Sequence, residues 1–147
     1  MHMLPGIIDV ALDVAQSVHL DAMRISHTPL FTGFSGSVGQ LVGRLGLFTL
    51  AELSQWKANR RDFRTPEHFA GIVAGEAVHE GHFKDIVNHM QPGTTEVMMH
   101  PGTDNQVLIK DCAWDHDFEA ELGSIISPDI QDMLKKKQVK VVNYRDI

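Results

Sequence analysis

The segment that decides the fold reads Thr94-Thr95-Glu96-Val97-Met98-Met99-His100-Pro101-Gly102. Its centre, from Glu96 to Met99, is typical of a buried strand, and the Pro-Gly pair after His100 predicts a sharp turn. In α/β folds, ligands and catalytic groups gather at the C-terminal ends of strands. A histidine there titrates near neutral pH and can give or take a proton. His100 is therefore a candidate site residue, and capping of the strand is the structural alternative.

The composition restricts the class of protein. The chain has 147 residues, of which 43% are hydrophobic and 22% charged, as in a single soluble globular domain spanning residues 1–147. The net charge of -6 argues against a nucleic-acid partner, which would require a basic face. No apolar run approaches the roughly 20 residues that cross a bilayer, and the N-terminus lacks a signal-peptide pattern. One cysteine, Cys112, fits a reducing compartment, so a cytoplasmic location is expected.

Hydrophobic periodicity and breaker residues predict alternating helices and short strands. Helices are predicted at 7–18, 35–61, 75–90, 117–126 and 128–137, and the second is divided so that 47–56 forms a separate helix. Strands are predicted at 22–26, 69–72, 96–99 and 139–144, the second of them as a strand or a strand-to-helix junction. The apolar face of the first helix is predicted to consist of Ile7, Ala11, Val14 and Val18. The alternation indicates a mostly parallel α/β sheet with too few strands to close a barrel.

The start of the last helix carries clear local signals. Ser127-Pro128-Asp129 predicts a capping hydroxyl, a proline at the first helical position and an acidic residue beside the positive helix end. The lysines at 135–137 complement the negative end, so they need no nucleic acid to explain them.

The nine histidines keep metal chemistry under consideration. His79, His82 and His89 share a flank of the helix predicted at 75–90, at spacings of three and seven residues. Histidines one turn apart can bind a metal ion together. The alternative is a surface or packing role, which this spacing favours because the third histidine lies two turns from the second.

Several short stretches, taken in order, carry a resemblance to a known family. They are His2-Met3-Leu4-Pro5, Met23-Arg24-Ile25, Thr65-Pro66-Glu67-His68-Phe69-x-Gly71, the central segment from Thr95 to Gly102, Glu119-x-Glu121-Leu122, Ser127-Pro128 and Val142-Asn143-Tyr144-Arg145-Asp146-Ile147. In this order and spacing they resemble the YdjC-like carbohydrate deacetylases, whose best-known members remove an acetyl group from chitooligosaccharides. The resemblance covers the chain nearly end to end.

The resemblance implies a fold and a cofactor. The chain is similar to the C-terminal part of a deformed (β/α) barrel of the polysaccharide-deacetylase type, with mostly parallel strands. His2 matches the last histidine of the family's Asp-Ser-His-x-His-x-His stretch. The aspartate and two histidines that hold the divalent metal, Mg or Zn, would therefore lie upstream of Met1. We expect that this chain alone does not hold the metal and that its active site is incomplete.

The resemblance also implies an activity, the metal-dependent hydrolysis of the N-acetyl group of an amino sugar or chitooligosaccharide. In that reaction a water must be activated and the leaving amine must be protonated. His100 is implied as the acid that protonates the amine, and Arg24, His2 and Asp104 are implied as substrate-binding residues. Phe118 stands where many members have an arginine.

Three readings follow. The first is a deacetylase-family chain, which by itself is expected to release no acetate. The second is a non-catalytic sugar-binding or assembly module of the same fold. The third is an independent metal protein that uses His79, His82 and His89. We favour the first. Because part of a barrel leaves a strand edge and an apolar inner face uncovered, the chain is also expected to self-associate.

Overall fold

The structure, a computed structural model, describes residues 4–26, 38–71 and 77–147, with backbone only at 38–44 and at 47. The elements in chain order are α1 (Ile7–Ser17), α2 (Val38–Asn59), β1 (His68–Ala70), α3 (Glu80–Asn88), β2 (Thr95–Val97), α4 (Asn105–Cys112), α5 (Phe118–Ile126) and α6 (Pro128–Lys136). β1 and β2 form a small parallel sheet. The predicted mixed α/β class is confirmed, whereas a barrel is not shown by the described residues.

The chain divides into two compact units. The first contains Met1–Phe69 and Val142–Ile147, and the second contains Ala70–Val141. Among the described helices, none combines the length and the apolarity of a bilayer-crossing segment.

The core of the first unit lies between α1 and α2. It buries Ile8, Leu12, Ile25, Ala51, Ala58 and Phe63. The predicted apolar face of α1 is wrong, since Ile7, Val14 and Val18 are exposed. The stripe that packs against α2 is instead the one that contains Ile8 and Leu12. Asp9, beside this stripe, pairs with Lys57 at 2.7 Å.

The core of the second unit lies between α3 and α6. It buries Val78, Phe83, Val87 and Ile130. Phe83 and Val87 of α3 are buried, and Ile86 and Met90 pack against them. The helix itself is shorter than the predicted 75–90, and residues 75 and 76 lie outside the described residues.

Two predicted strands are absent from the described part of the chain. In 22–26, Ala22 makes one isolated parallel bridge with Arg64 and no strand forms. In 139–144, the chain instead bonds locally: Gln138 adopts a positive φ of 57°, and the Val139 N–H donates to the Leu134 carbonyl at 2.9 Å. Short apolar runs that satisfy their backbone groups in this way do not need a sheet.

Helix predictions were more accurate than strand predictions, with three corrections. α4 was not predicted, since no helix was expected between 90 and 117. α2 is one continuous helix, so the predicted division at 47–56 is wrong. α6 begins at Pro128 after Ser127 and ends on Lys135 and Lys136, as predicted, but the Ser127 side chain makes no cap hydrogen bond.

Candidate functional site

His100 lies just beyond β2, as the sequence predicted. The strand covers Thr95–Val97, and the Met98 N–H that follows donates to the Ala70 carbonyl at 2.9 Å. Gly71 lies against this point with a φ of 94°, and a side chain there would overlap the Met98 carbonyl oxygen. The predicted strand at 96–99 is therefore confirmed in position, with bounds shifted by one or two residues.

The turn after His100 is held against α5. The Gly102 N–H donates to the Phe118 carbonyl at 3.0 Å. A side chain at Gly102 would overlap Leu108 of α4 and would lie 3.0 Å from the Phe118 Cβ. The absence of a side chain therefore allows the turn to pack closely between the two helices.

A short loop from Ala113 to Asp117 joins α4 to α5 and carries a second histidine. Ala113 ends α4 in the left-handed conformation, with a φ of 50°. Asp117 caps α5, because its Oδ1 accepts from the Ala120 N–H at 3.0 Å. Between these two fixed points lies His116, whose side chain is in the interior, where the residue is 6% exposed.

Glu121, on the first turns of α5, is a buried carboxylate that binds two backbone segments. Its Oε1 accepts from the Val78 N–H at 2.9 Å, and its Oε2 accepts from the His100 N–H. One turn along the same face, the Ser124 hydroxyl donates to the Val78 carbonyl at 3.0 Å. α5 thus fixes the backbone of both Val78 and His100.

The side chains of His100, His116 and Glu121 converge. Their ligand atoms all lie within 4.8 Å of one another, and they are the only such group of three among the residues that the structure describes. The His116 Nε2 lies 3.2 Å from the Glu121 Oε1, and the His100 Nδ1 lies 4.0 Å from the Glu121 Oε2. The angles are not those of hydrogen bonds, so neither ring nitrogen of His116 has a hydrogen-bond partner among the described residues. We refer to these three residues as the His-His-Glu cluster.

Aromatic rings cover one side of the cluster. The Trp114 indole stacks on the His116 imidazole with ring centroids 4.1 Å apart and contacts the His100 ring edge-on at 5.0 Å. Phe118 packs edge-on against His116 at 4.9 Å. At the position where the resemblance implies an arginine, this chain therefore places an apolar ring against the buried histidine.

Asp117 adds negative charge beside the cluster. The pKa of its carboxyl is held below the ordinary value, first by the hydrogen bond from the Asn105 side chain and next by the one from the Ala120 N–H. The charges of His79 and His116 lower this pKa further. Asp117 therefore stays ionised next to His116 at neutral pH.

Comparison with models of known families identifies the family of this chain. The family model described as YdjC-like protein matches residues 1–136. The chain belongs to the YdjC-like family. This family is broadly related to carbohydrate deacetylases, and it is metal-dependent in general. No curated protein and no solved structure matches the chain.

The donor atoms of the His-His-Glu cluster in this YdjC-like protein can be compared with the ligands of known metal sites. Two imidazole nitrogens and a carboxylate oxygen are a common ligand set for a catalytic metal. The buried His116 imidazole has no hydrogen-bond partner among the described residues, so its nitrogen is available to bind an ion. The His-His-Glu cluster therefore has the donor set for a metal ion, while the expectation that this chain alone does not hold the family's metal stays a prediction.

The structure describes two of the three other predicted site residues of this YdjC-like chain, Arg24 and Asp104. Arg24 belongs to the first unit, where its guanidinium lies 6.0 Å from the Phe69 ring centre. Asp104 caps α4, accepting from the Val107 N–H at 3.0 Å. His2 lies outside the described residues.

The three histidines of the α3 region do not form a ligand group of their own among the described residues. His79 and His89 flank α3 as its cap residues, and the Nδ1 of His89 is 2.8 Å from the Asp85 carbonyl. The rings of His79 and His82 are 6.1 Å apart. The third reading of the sequence therefore has no geometric support here.

Sequence reasoning missed His116 and assigned no site role to Glu121. Glu121 was visible only as part of the family stretch Glu119-x-Glu121-Leu122. A histidine between Trp114 and Phe118 at alternating positions is the one signal that could have found His116, since an extended segment places alternate side chains on one side.

Proposed function

We propose that this protein takes part in the metal-dependent removal of the acetyl group from an N-acetylated amino sugar or chitooligosaccharide, with His100 exchanging the proton. Membership of the YdjC-like family supports the reaction class. The observation that carries the role of His100 is its placement: the backbone is tied to the buried Glu121, while the side chain remains 39% exposed. A fixed but accessible imidazole suits proton transfer to a substrate.

The two ring nitrogens of His100 have different roles in this reaction. Nδ1 faces the Glu121 carboxylate at 4.0 Å, so Nε2, on the opposite side of the ring, is the atom available to a substrate. When the C–N bond of the tetrahedral intermediate breaks, the proton on Nε2 passes to the leaving nitrogen. The products are acetate and a free amine, and His100 is left neutral. A divalent ion, when bound, supplies an activated water and polarises the acetyl carbonyl.

Glu121 acts on His100 without touching the substrate. Its carboxylate fixes the His100 backbone and lies 4.0 Å from the Nδ1 of the imidazole. Glu121 is therefore a positioning residue for His100 in this reaction.

Arg24, His2 and Asp104 remain proposed as substrate-binding residues, and the barrel fold of the deacetylases remains part of the same proposal. Asp104 has one oxygen engaged at the α4 N-terminus, so the other would accept from sugar hydroxyls. Arg24 would donate to an oxygen of the sugar.

The test is acetate release from N,N'-diacetylchitobiose with Mg²⁺ or Zn²⁺ added. The proposal is supported if the parent chain releases acetate, and if this release is lost both with a chelator and in His100→Ala. The expectation that the chain alone is inactive would then be wrong. Release that continues in His100→Ala would remove the assigned role of His100. His89→Ala is the matched control, because His89 is an exposed cap residue of α3.

A second candidate function is sugar binding without catalysis. One observation favours it: Trp114 is 40% exposed beside His100, and an exposed indole is a flat apolar surface on which a sugar ring can pack. In Trp56→Phe, Trp114 becomes the sole tryptophan, since the chain has two. A change in its fluorescence with diacetylchitobiose but no acetate release would favour this module. No response in either assay would exclude both functions for this chain by itself with this sugar.

A further inference from the structure

The strongest unexplained feature of the second unit is the His116 side chain, which is 3% exposed. Both of its ring nitrogens lack a hydrogen-bond partner among the described residues. Nearly all buried polar side-chain atoms in folded proteins have a partner, since burial without one is costly. His116 therefore points to a ligand that completes its coordination.

The distance between two of the donor atoms around His116 is close to the ligand–ligand distance in a zinc site. In a tetrahedral zinc site the ligand atoms lie about 2.0–2.2 Å from the ion, which places neighbouring ligands about 3.3 Å apart. The His116 Nε2 and Glu121 Oε1 are 3.2 Å apart. The His100 Nδ1 lies 4.0 Å from Oε2, and its side chain is partly exposed and so less tightly packed than that of His116.

The outer contacts also fit. Glu121 gives one acceptor position of each oxygen to a backbone N–H, which orients the carboxylate and leaves further lone pairs free. Trp114 and Phe118 pack against the His116 ring and limit its rotation. Ligands that are held in place before the ion arrives bind it more tightly.

We infer that the His-His-Glu cluster is a binding site for a zinc-class divalent ion, with His100 Nδ1, His116 Nε2 and a Glu121 carboxylate oxygen as ligands. Two imidazole nitrogens select zinc, cobalt or nickel over magnesium, which prefers an all-oxygen shell. Three protein ligands leave a coordination position for water or another small ligand. This site differs from the upstream Asp and His set that the family resemblance implies. An imidazole that binds zinc through Nδ1 cannot also be the imidazolium that donates the proton in the reaction proposed above, so zinc binding and proton transfer by His100 belong to separate states of the chain and are tested separately.

The first experiment measures the ion directly. The full chain, freed of metal with a chelator and dialysed against buffer with Zn²⁺, is analysed for bound metal and titrated by calorimetry. We expect one zinc per chain and no displacement by a hundredfold excess of Mg²⁺. A chain that retains no zinc, or one in which Mg²⁺ displaces zinc, would overturn the proposal.

Variants locate the ion. We expect His100→Ala to weaken zinc binding at least tenfold without loss of the fold, because the side chain is partly exposed. His116→Phe should abolish binding, and its circular dichroism reports whether it folds. The double variant His79→Ala/His89→Ala is the matched control and should bind as the parent does. If the control loses zinc while His100→Ala keeps it, the ion lies on the α3 histidines and the inference is wrong.

A second readout uses the stacked indole. In Trp56→Phe the remaining Trp114 lies 4.1 Å from the His116 ring, so zinc bound to His116 should change its fluorescence. Co²⁺ in the same site should give visible absorption bands typical of a low-coordinate nitrogen and oxygen environment. Neither measurement uses a sugar. Zinc binding without acetate release would therefore support this site and count only against the proposed reaction. Zinc binding in calorimetry that leaves the Trp114 fluorescence unchanged would mean that the ion lies away from His116, and the inference would be wrong.

Discussion

The Glu121 carboxylate accepts a hydrogen bond from the His100 backbone N–H, while its other oxygen accepts from the Val78 N–H at 2.9 Å. Glu121 is 1% exposed, so this one side chain joins the end of the β2 segment to the start of the α3 region from inside the second unit. A buried carboxylate is stable only when its oxygens are paired. The same residue therefore holds the candidate site together and contributes a ligand to it.

Replacing Glu121 with Gln should destabilise the protein. The new amide keeps one acceptor oxygen, so either Val78 or His100 is left with a buried, unpaired N–H. We expect the free energy of unfolding to fall by about 1–3 kcal/mol, measured by urea denaturation. Asp132→Asn is the control, since its pair with Lys135 is exposed, and it should change stability by less than about 1 kcal/mol. Equal losses in the two variants would contradict the role given to Glu121.

Replacing His100 with Ala should separate activity from folding. In a preparation that releases acetate, we expect kcat to fall by roughly 10²–10⁴ if His100 is the general acid. The unfolding transition should change little, because the side chain is partly exposed. A variant that keeps full kcat, or that unfolds, would show that His100 has a structural role instead.

Two glycine substitutions should have opposite effects. Gly71→Ala should destabilise the protein by more than about 1 kcal/mol, because Gly71 has a φ of 94° and the new methyl would overlap the Met98 carbonyl. Gly123→Ala, in the interior of α5 with open space around it, should stabilise the protein by about 0.5–1 kcal/mol. Thermal or urea unfolding of both variants checks this, and a neutral Gly71→Ala would mean that the β1–β2 contact is not close.

The Asp9–Lys57 pair should make the stability depend on acid pH. The pKa of Asp9 lies below its ordinary value of 3.8, mainly because the Lys57 ammonium donates to the carboxylate. A lowered folded-state pKa means that the pair stabilises the protein above pH 3.8, and that this contribution disappears as the pH falls through the lowered pKa. In Lys57→Met the carboxyl should titrate nearer 3.8, as measured by NMR. An unchanged titration would show that Lys57 does not act on Asp9.

The expected self-association stays a prediction, and α1 offers a surface to test it. Val10, Val14 and Val18 lie along one side of α1 and are 62%, 56% and 58% exposed. Covering a few hundred Å² of apolar surface at roughly 25 cal/mol/Å² is worth several kcal/mol. We expect Val14→Lys to weaken association in sedimentation velocity at micromolar concentration, while Gln16→Lys should not. A parent chain that sediments as a 16.4 kDa monomer would contradict the prediction.

Local sequence patterns predicted the positions of helices and strands well where neighbouring residues determine the backbone conformation. The segment around β2 and the helix α5 were located to within a residue or two, since the Pro-Gly turn and the Asp117 cap act over only a few positions. The face of α1 was predicted wrongly, because periodicity alone offered two apolar stripes. The buried stripe is the one that meets α2, and such a contact between segments about 48 residues apart is not encoded in local periodicity.

The sequence by itself determined the family of this protein and the position of His100 after a strand, since both rest on residues that are close together in the chain. Only the tertiary structure decided that His116 and Glu121 meet His100. The hydrogen bond between Glu121 and the His100 backbone spans 21 residues, and no local pattern specifies such a contact. It forms because a buried carboxylate must find donors, and packing of α5 against the turn after β2 brings those donors to it.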